Sequence, residues 1–432
     1  MLAWYTELSP GKRKAFWGAY AGWGLDAMDV QVFSFLVPSL IAAWGMTRTD
    51  AGLLGTSALI FSALGGWLGG ILSDRVGRVR TMQITILWYS LFTLLSGFTR
   101  DFDQLLVARS LQGIGFGGEW AAGAVLVGEI VRPANRGKTV GCLGSSYALG
   151  WGVAAIMASL VLAFAPAAFA WRIVFWIGVT PALLVLFIRR FVEEPQVFQR
   201  AKSAEMIGRP RVSTLAIFQP PFFRRTALAC VLSIGLQGAV VTLLTWLPTY
   251  LKMGRGLSVS AGGAYVAVVT AGAFFGYIIN GYLSDNWGRR RCLIAFCAAC
   301  YVVILAYTYI PLGNTAMLLL GFPLGFFALG NFGSLAPYLT ELFPTEIRAT
   351  GQGFSNSVGR CIGGGFVAAA GILSEHIPLG EAVGLLALGG YAIAAVAVIL
   401  LPETNGSVLT SLTAGETPEL APVKTPELAP VR

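Results

Sequence analysis

Two aspartates three positions apart, Asp26 and Asp29, stand in "GWGLDAMDVQVFSFLVPSL" (22–40), a stretch that otherwise has the composition of buried helix. An ionised carboxylate in apolar surroundings is costly, so such a group needs a cation, a water-filled crevice or a proton. Arg109 and Glu119 fall in "RSLQGIGFGGEW" (109–120) and Arg360 in "GFSNSVGRCIGGGF" (353–366), again inside apolar runs. Carboxylates beside guanidinium groups can exchange protons, switch partners and hold anions. The chain has neither H-E-x-x-H nor G-x-S-x-G, and its one histidine, His376, falls in an expected turn beside Glu375. An enzyme is not expected, nor is any cofactor.

The elements that must carry these groups are membrane-spanning helices. Of 432 residues 56% are hydrophobic and 12% charged, with a mean hydropathy of +0.70. Soluble domains usually carry about 25% charged residues, so the excess apolar surface must face lipid. The formal charge of +9 does not point to nucleic acid, because the cations sit in short stretches between apolar runs rather than on one face. A spanning helix needs roughly 20 apolar residues. Twelve candidates result, near 15–43, 51–73, 81–99, 103–130, 138–165, 169–190, 225–251, 259–284, 290–311, 315–341, 349–374 and 381–401. The first, preceded by "GKRKAF", reads as a retained span rather than a cleaved signal. The six cysteines lie in or beside these apolar runs, and Cys297-x-x-Cys300 has no acidic or imidazole neighbour, so no metal site is expected.

Cations cluster before the first span, after the second, fourth and eighth, and between the sixth and seventh. The positive-inside rule then places both termini and the central linker in the cytoplasm of a cell (inner) membrane. The expected organisation is a first six-helix bundle over 1–190, a linker over 191–224, a second bundle over 225–406 and a tail over 407–432. The tail, with "TPELAPVKTPELAPVR", is a Pro-rich repeat that cannot build a core.

The halves repeat each other. "GGILSDRVGRVR" (69–80) matches "NGYLSDNWGRRR" (280–291), and "GEIVRPANRGKTVG" (128–141) matches "TELFPTEIRATGQG" (340–353), at nearly the same offset. The first pair resembles G-x-L-x-D-x-x-G-R-[RK] of the major facilitator superfamily. "RSLQGIGFGGEW" is similar to its R-x-x-x-G-x-G fourth-span motif, and "EEPQVF" (193–198) and "LPETNG" (401–406) resemble the motifs that end each half. The resemblance runs from about residue 12 to 406 and implies an all-α membrane protein of twelve spans in two pseudo-symmetric six-helix bundles that rock around a central cavity. D-x-x-D in the first span, "GGEW" in the fourth and "ELFPTEIRATGQGFSNSVGR" (341–360) are similar to the sialate and aromatic-acid proton symporters, which import organic anions together with protons.

At a rise of about 1.5 Å per residue, Asp26 lies roughly 15 Å into the first span and Asp29 on the same face. Arg109 enters the fourth span from the other side and reaches roughly 9–12 Å. Asp26 or Asp29, the latter favoured for depth, is expected to carry a coupled proton with Arg109 as partner; a purely structural salt bridge is the alternative. Glu119 is a second protonatable candidate, or else a structural contact. Arg360, with no acid close in its own span, is expected to bind a substrate carboxylate or to pair with Asp26 or Asp29. Gln237, Tyr147, Trp151, Asn331 and Asn356 are further substrate-contact candidates whose alternative is helix-to-helix hydrogen bonding. Asp74, Arg75, Arg78, Glu129 and Arg136, repeated as Asp285, Arg289, Glu341 and Arg348, are expected to gate, with Asp74 set against a helix N-terminus. Glycines 65, 66, 69, 70, 113, 115, 117 and 118 are expected to let gating helices approach. The function expected is proton-coupled import of a small organic anion, a carboxylate or acidic sugar, by a monomer powered by the proton gradient. The alternatives are a neutral-sugar or drug carrier, or a receptor without transport.

Overall fold

The computed structural model describes residues 3–130, 136–183, 185, 214–220, 222–344 and 347–404. After a one-turn helix at Ala3–Thr6, the helices are α1 (Pro10–Trp44), α2 (Arg48–Val76), α3 (Arg78–Ser96), α4 (Phe102–Ile130), α5 (Arg136–Phe164) and α6 (Ala167–Ile177). A 3₁₀ turn at Thr214–Phe218 leads into α7 (Phe223–Thr249), α8 (Val259–Trp287), α9 (Arg289–Tyr309), α10 (Asn314–Glu341), α11 (Arg348–Leu373) and α12 (Leu379–Leu400). Among the described residues, eight helices are long and apolar enough to cross a membrane. The helices outside that group include α4 and α11, which carry Arg109, Gln112 and Glu119 or Asn356 and Arg360. Of the expected linker over 191–224, residues 191–213 and 221 lie outside the described residues, as does the tail over 407–432.

Local sequence explains the helix ends. Thr47 accepts from the amide of Asp50 at 3.0 Å while its own amide donates to the Asp50 carboxylate at 2.9 Å, a reciprocal cap that starts α2. Gly77 and Gly288 turn the chain at φ 111° and 105° between α2 and α3 and between α8 and α9. That conformation suits glycine, and both glycines belong to the repeated "D-x-x-G-R" stretch, so the duplication is visible in the backbone. Pro248, near the end of α7, is followed by one π-helical turn at Tyr250–Gly254.

The two six-helix sets each pack in the same way. In the first, α2 lies along α4, α3 along α4 and α1 along α5; in the second, α8 along α10, α9 along α10 and α7 along α11. The crossings correspond in position: Gly150 of α5 meets Gly24 of α1, and Gly359 of α11 meets Ser233 of α7. Outward side chains such as Trp67, Leu91, Phe164, Val302, Leu319 and Val396 stay exposed, the inverse of a water-soluble fold and the expected arrangement against lipid.

The close helix approach expected of the glycines occurs within one half. Gly65 and Gly69 of α2 and Gly113, Gly117 and Gly118 of α4 face each other inside the first bundle, and Gly115 faces Tyr89 and Trp88 of α3. They set packing within a half. Gly66, close to Ser357 of α11 as well as to Gly117, is the one of this group that also meets the other half; the side of Gly70 lies outside the described residues.

The halves meet where α2 lies against α11 and α5 against α8, with α1 near α7 and α10 near α5. At the end rich in cations, Asp285 presses on Gly137 in the first turn of α5, and the Lys138 ammonium lies 5.8 Å from the centre of the Tyr282 ring. At the opposite end, Arg48 donates to the Ser374 carbonyl at 2.6 Å and the Thr49 hydroxyl to Glu375 at 2.6 Å. Those donations from Thr49 hold the exposed Glu375 carboxyl below its ordinary pKa. His376 follows, exposed in the same turn.

A methyl group added at Gly117 would collide with the Ser62 carbonyl, and one at Gly325 with that of Val269, whereas Gly365 has open space around it. Overpacking of this kind costs about 1–3 kcal/mol. Gly117→Ala and Gly325→Ala are expected to lower the melting temperature of the detergent-solubilised protein by several degrees and Gly365→Ala to leave it unchanged, as read by a thermal-shift assay.

Candidate functional site

Between the halves lies a cavity of about 1330 Å³, its open mouth included. Its wall takes residues from α1, α2, α4 and α5 of the first bundle and from α7, α8, α10 and α11 of the second. Most of the lining is apolar or aromatic: Phe33, Ala58, Leu59, Phe116, Val240, Val241, Leu244, Leu329 and Phe332. Into this wall are set a few polar groups, chiefly Asp26, Gln31, Arg109, Gln112, Tyr147, Gln237 and Arg360. Apolar walls with a few placed polar groups are the usual build of a small-molecule site.

Asp26 and Arg360 reach the cavity from opposite bundles. Asp26 is 2% exposed and one of its oxygens has no hydrogen-bond partner; it interacts electrostatically with Glu119, Asp29 and Arg360. The Arg360 guanidinium lies over the Phe116 ring of α4 at 5.0 Å, so a side chain of the second bundle rests on an aromatic of the first. Arg109 stacks likewise over Phe33 at 4.5 Å. Both cations thus lie over an aromatic ring.

Asp29 takes a different position from Asp26. Residues three apart on an α-helix differ by about 60° in direction, enough for one to face the cavity and the other to turn inward. Asp29 is absent from the cavity wall and is buried against α3, α4 and the end of α6, accepting from Gln112 at 2.5 Å and lying close to Gly178. Arg109 does not form an ion pair with Asp29 within 4 Å among the described residues; it donates to the Gln112 carbonyl oxygen at 2.5 Å. Gln112, overlooked in the sequence, is the link between them. Its signal was its position three residues after Arg109 in a helix otherwise filled with small and apolar residues.

Glu119 is completely buried, neither of its oxygens has a hydrogen-bond partner, and it presses on Gly22 of α1. It does not line the cavity. Tyr147 and Gln237 do; Tyr147 accepts from Gln31 at 3.3 Å, and Gln237 donates to the carbonyl and side-chain oxygens of Asn356 at 3.0 and 2.9 Å. Three expected contacts stand away from this cavity. Asn356 supports Gln237 from behind, and Asn331 is buried, donating to the Phe327 carbonyl at 2.9 Å. Trp151 instead borders a separate apolar cavity formed largely by α7, α9, α10 and α12. Gln31, Ser34, Phe116 and Tyr277, which the sequence did not single out, line the central cavity.

The expected gate is described for the second half. Arg289 pairs with Asp285 at 2.6 Å and with Glu341 at 3.3 Å, and Thr404 donates to Glu341 at 2.6 Å, tying the end of α8 to α9, α10 and the residues after α12. Asp285 against the first turn of α5 places a carboxylate where a helix N-terminus favours one. The side chains of Asp74, Arg75, Arg78, Glu129, Arg136 and Arg348 lie outside the described residues.

Comparison with known proteins agrees with this architecture. The Major Facilitator Superfamily matches residues 20–368. A probable 4-methylmuconolactone transporter of Cupriavidus pinatubonensis is 45% identical over 414 residues, 95% of each chain. The cis,cis-muconate transport protein of Acinetobacter baylyi is 31% identical over 352 residues, 80% of this chain and 84% of its own. The partially occluded, inward-open xylose transporter XylE from E. coli superposes with a TM-score of 0.71 at 20% identity, over 93% of this chain and 100% of that one. With duplicated six-helix bundles, a cavity walled by both and this match along most of its length, the chain belongs to the Major Facilitator Superfamily: it is a multi-pass membrane transporter, not an enzyme.

Proposed function

We propose that this transporter imports a small organic carboxylate together with protons, by alternating exposure of the central cavity to the two sides of a cell membrane. The observation that carries the reading is Arg360 and Asp26 in one cavity wall, each from a different bundle and each within the other's field. A carboxylate entering the cavity meets a guanidinium whose planar fork suits two-point binding. It also meets Asp26, whose negative charge opposes it. Protonation of Asp26 removes that repulsion and leaves Arg360 to the incoming anion. Proton and anion therefore favour each other's binding, the thermodynamic requirement for symport. Glu119, buried with both oxygens lacking partners, is a second place for a proton close to α1.

The aromatic and aliphatic wall suits a substrate with a small, flat apolar body attached to its carboxylate. Relatives named for muconolactone and muconate transport are consistent with that chemistry. In this reading both termini face the cytoplasm, the protein works as a monomer in the inner membrane, and the proton gradient supplies the energy without a cofactor. The Asp285–Arg289–Glu341 network and its contact with α5 hold one face of the cavity closed, and the α2–α11 contacts hold the other.

Purified protein in proteoliposomes tests this against a panel of 4-methylmuconolactone, cis,cis-muconate, sialic acid and D-xylose, with and without an inward-directed pH gradient. Gradient-driven accumulation of a carboxylate is the expected result; accumulation of D-xylose alone would defeat the reading. Asp26→Asn is expected to abolish uphill accumulation while leaving exchange of the same anion across the membrane. Undiminished uphill uptake would remove Asp26 from the coupling.

Arg360→Gln removes a charged hydrogen-bond donor worth about 1.5–3 kcal/mol, so the apparent affinity for the carboxylate is expected to fall about tenfold to a hundredfold. Arg360→Lys retains the charge but not the fork, and an intermediate loss is expected. Concentration-dependent uptake measures both, and an unchanged affinity in Arg360→Gln would exclude the residue from anion binding.

A further inference from the structure

We propose that Gln112 is a positioning residue that transmits the protonation state of Asp29, which lies off the cavity, to Arg109, which lies on it. The inference rests on the proton-coupled reading above and goes beyond it, because it gives a mechanical role to a neutral side chain and to an acid that the substrate does not touch.

The hydrogen-bond network fixes how the Gln112 carboxamide is oriented. Arg109 can only donate, so it must meet the Gln112 oxygen, while the Thr93 hydroxyl, 2.9 Å from the Tyr89 carbonyl and also within hydrogen-bonding reach of Asp29, keeps a lone pair for Gln112. The Gln112 nitrogen therefore faces Thr93, at 2.7 Å, and by the same orientation donates to Asp29 Oδ2. Its oxygen is left to accept from Arg109 Nη1. A single planar amide thus connects an acid buried among α1, α3, α4 and α6 to a guanidinium at the cavity wall. The second oxygen of Asp29, Oδ1, has no hydrogen-bond partner, so it is the open place for a proton.

With Asp29 ionised, the amide makes a charge-assisted bond to it, roughly twice as strong as a neutral one. That bond holds the Gln112 oxygen against Arg109 and keeps the guanidinium at the wall, over Phe33. A proton on Oδ1 cancels the charge without displacing Gln112, and the bond weakens to a neutral one. Arg109 is then held less firmly and can turn into the cavity toward an anion. The reverse follows by linkage: an anion that draws Arg109 inward favours the proton on Asp29. The charged and titratable groups acting on Asp29 are Arg109 from α4, Asp26 on its own helix and Tyr89 from α3; α6 presents Gly178. Among these, only Arg109 is tied to Asp29 through a shared amide.

The test follows Asp29 itself, in full-length protein in lipid nanodiscs with no transported anion present. Infrared difference spectra over a pH series report its carboxyl C=O stretch, identified by its loss in Asp29→Asn. Gln112→Met keeps the length and unbranched shape but removes the hydrogen bonds to Asp29, Thr93 and Arg109. Since Gln112 favours the ionised form, its removal is expected to raise the Asp29 midpoint by about one to two pH units. Arg109→Gln is expected to raise it too. Through a shared relay the two effects must fall short of additive in the double variant. An unmoved midpoint in Gln112→Met, or shifts that simply add, would overturn the proposal; a purely structural Gln112 would lower thermal stability without either signature. Should Gln112→Met not fold, Gln112→Leu provides the same measurement. Because no transport is measured, failure here is separate from failure of carboxylate accumulation in proteoliposomes.

Discussion

Charge held away from bulk water at the centre of an apolar protein is the constraint on which the architecture depends. Asp26, Asp29, Arg109, Glu119 and Arg360 are each 7% exposed or less, in a chain whose outer surface is built for lipid. An isolated charge there would neutralise itself or disrupt its helix. The fold accommodates four of them in three ways, while Glu119 keeps both oxygens without a hydrogen-bond partner. The cavity admits Asp26, Arg109 and Arg360, the two guanidiniums lie over Phe33 and Phe116, and Gln112 supplies a donor to Asp29. Removing any of these supports exposes a cost that the remaining ones must absorb.

That arrangement requires helices to lie very close within each bundle while the bundles remain separable. Small residues meet the first requirement: α2 and α4 approach through facing glycines, and α8 and α10 through Gly272, Gly276, Gly325, Gly330 and Gly333. Between lipid-exposed helices the hydrophobic effect supplies little, so close packing and hydrogen bonds carry association. The second requirement is met by surfaces along α2–α11 and α5–α8 whose polar ties among the described residues are few: Thr56 bonds to the Gly364 carbonyl and the Ala368 amide within α2–α11, and the others lie toward the ends. Thr49–Glu375 and Arg48–Ser374 lie at one end, and the Asp285 contact with α5 at the other. Rigid halves joined by local ties are what a rocking movement needs.

Several features were legible before any coordinates. Mean hydropathy, the spacing of apolar runs and the clustering of cations indicated twelve helices, and the observed boundaries fall within a few residues of those expected for α1 to α5 and for α7 to α12. The repeat "D-x-x-G-R" announced a duplication, and the matched positive-φ glycines Gly77 and Gly288 are its backbone counterpart. Asp26, Arg109 and Arg360 attracted notice because charged residues are rare in spanning helices, and all three line the cavity. The physical basis is local in each instance, since lipid tests every residue against the same apolar standard.

Direction around each helix was not legible. Asp26 and Asp29 look equivalent in a string of letters, but rotation of α1 in its bundle sends one to the cavity and the other to Gln112. Trp151 is one helical turn from Tyr147, yet it borders a separate cavity. Gln112 escaped notice because a neutral amide in a helix is unremarkable until its partners are known. The amino-acid order by itself determined which residues are costly to bury, how many helices carry them and that the halves repeat. Tertiary structure alone decided which of those residues share a cavity, because that depends on packing between helices distant in sequence, to which a linear pattern is blind.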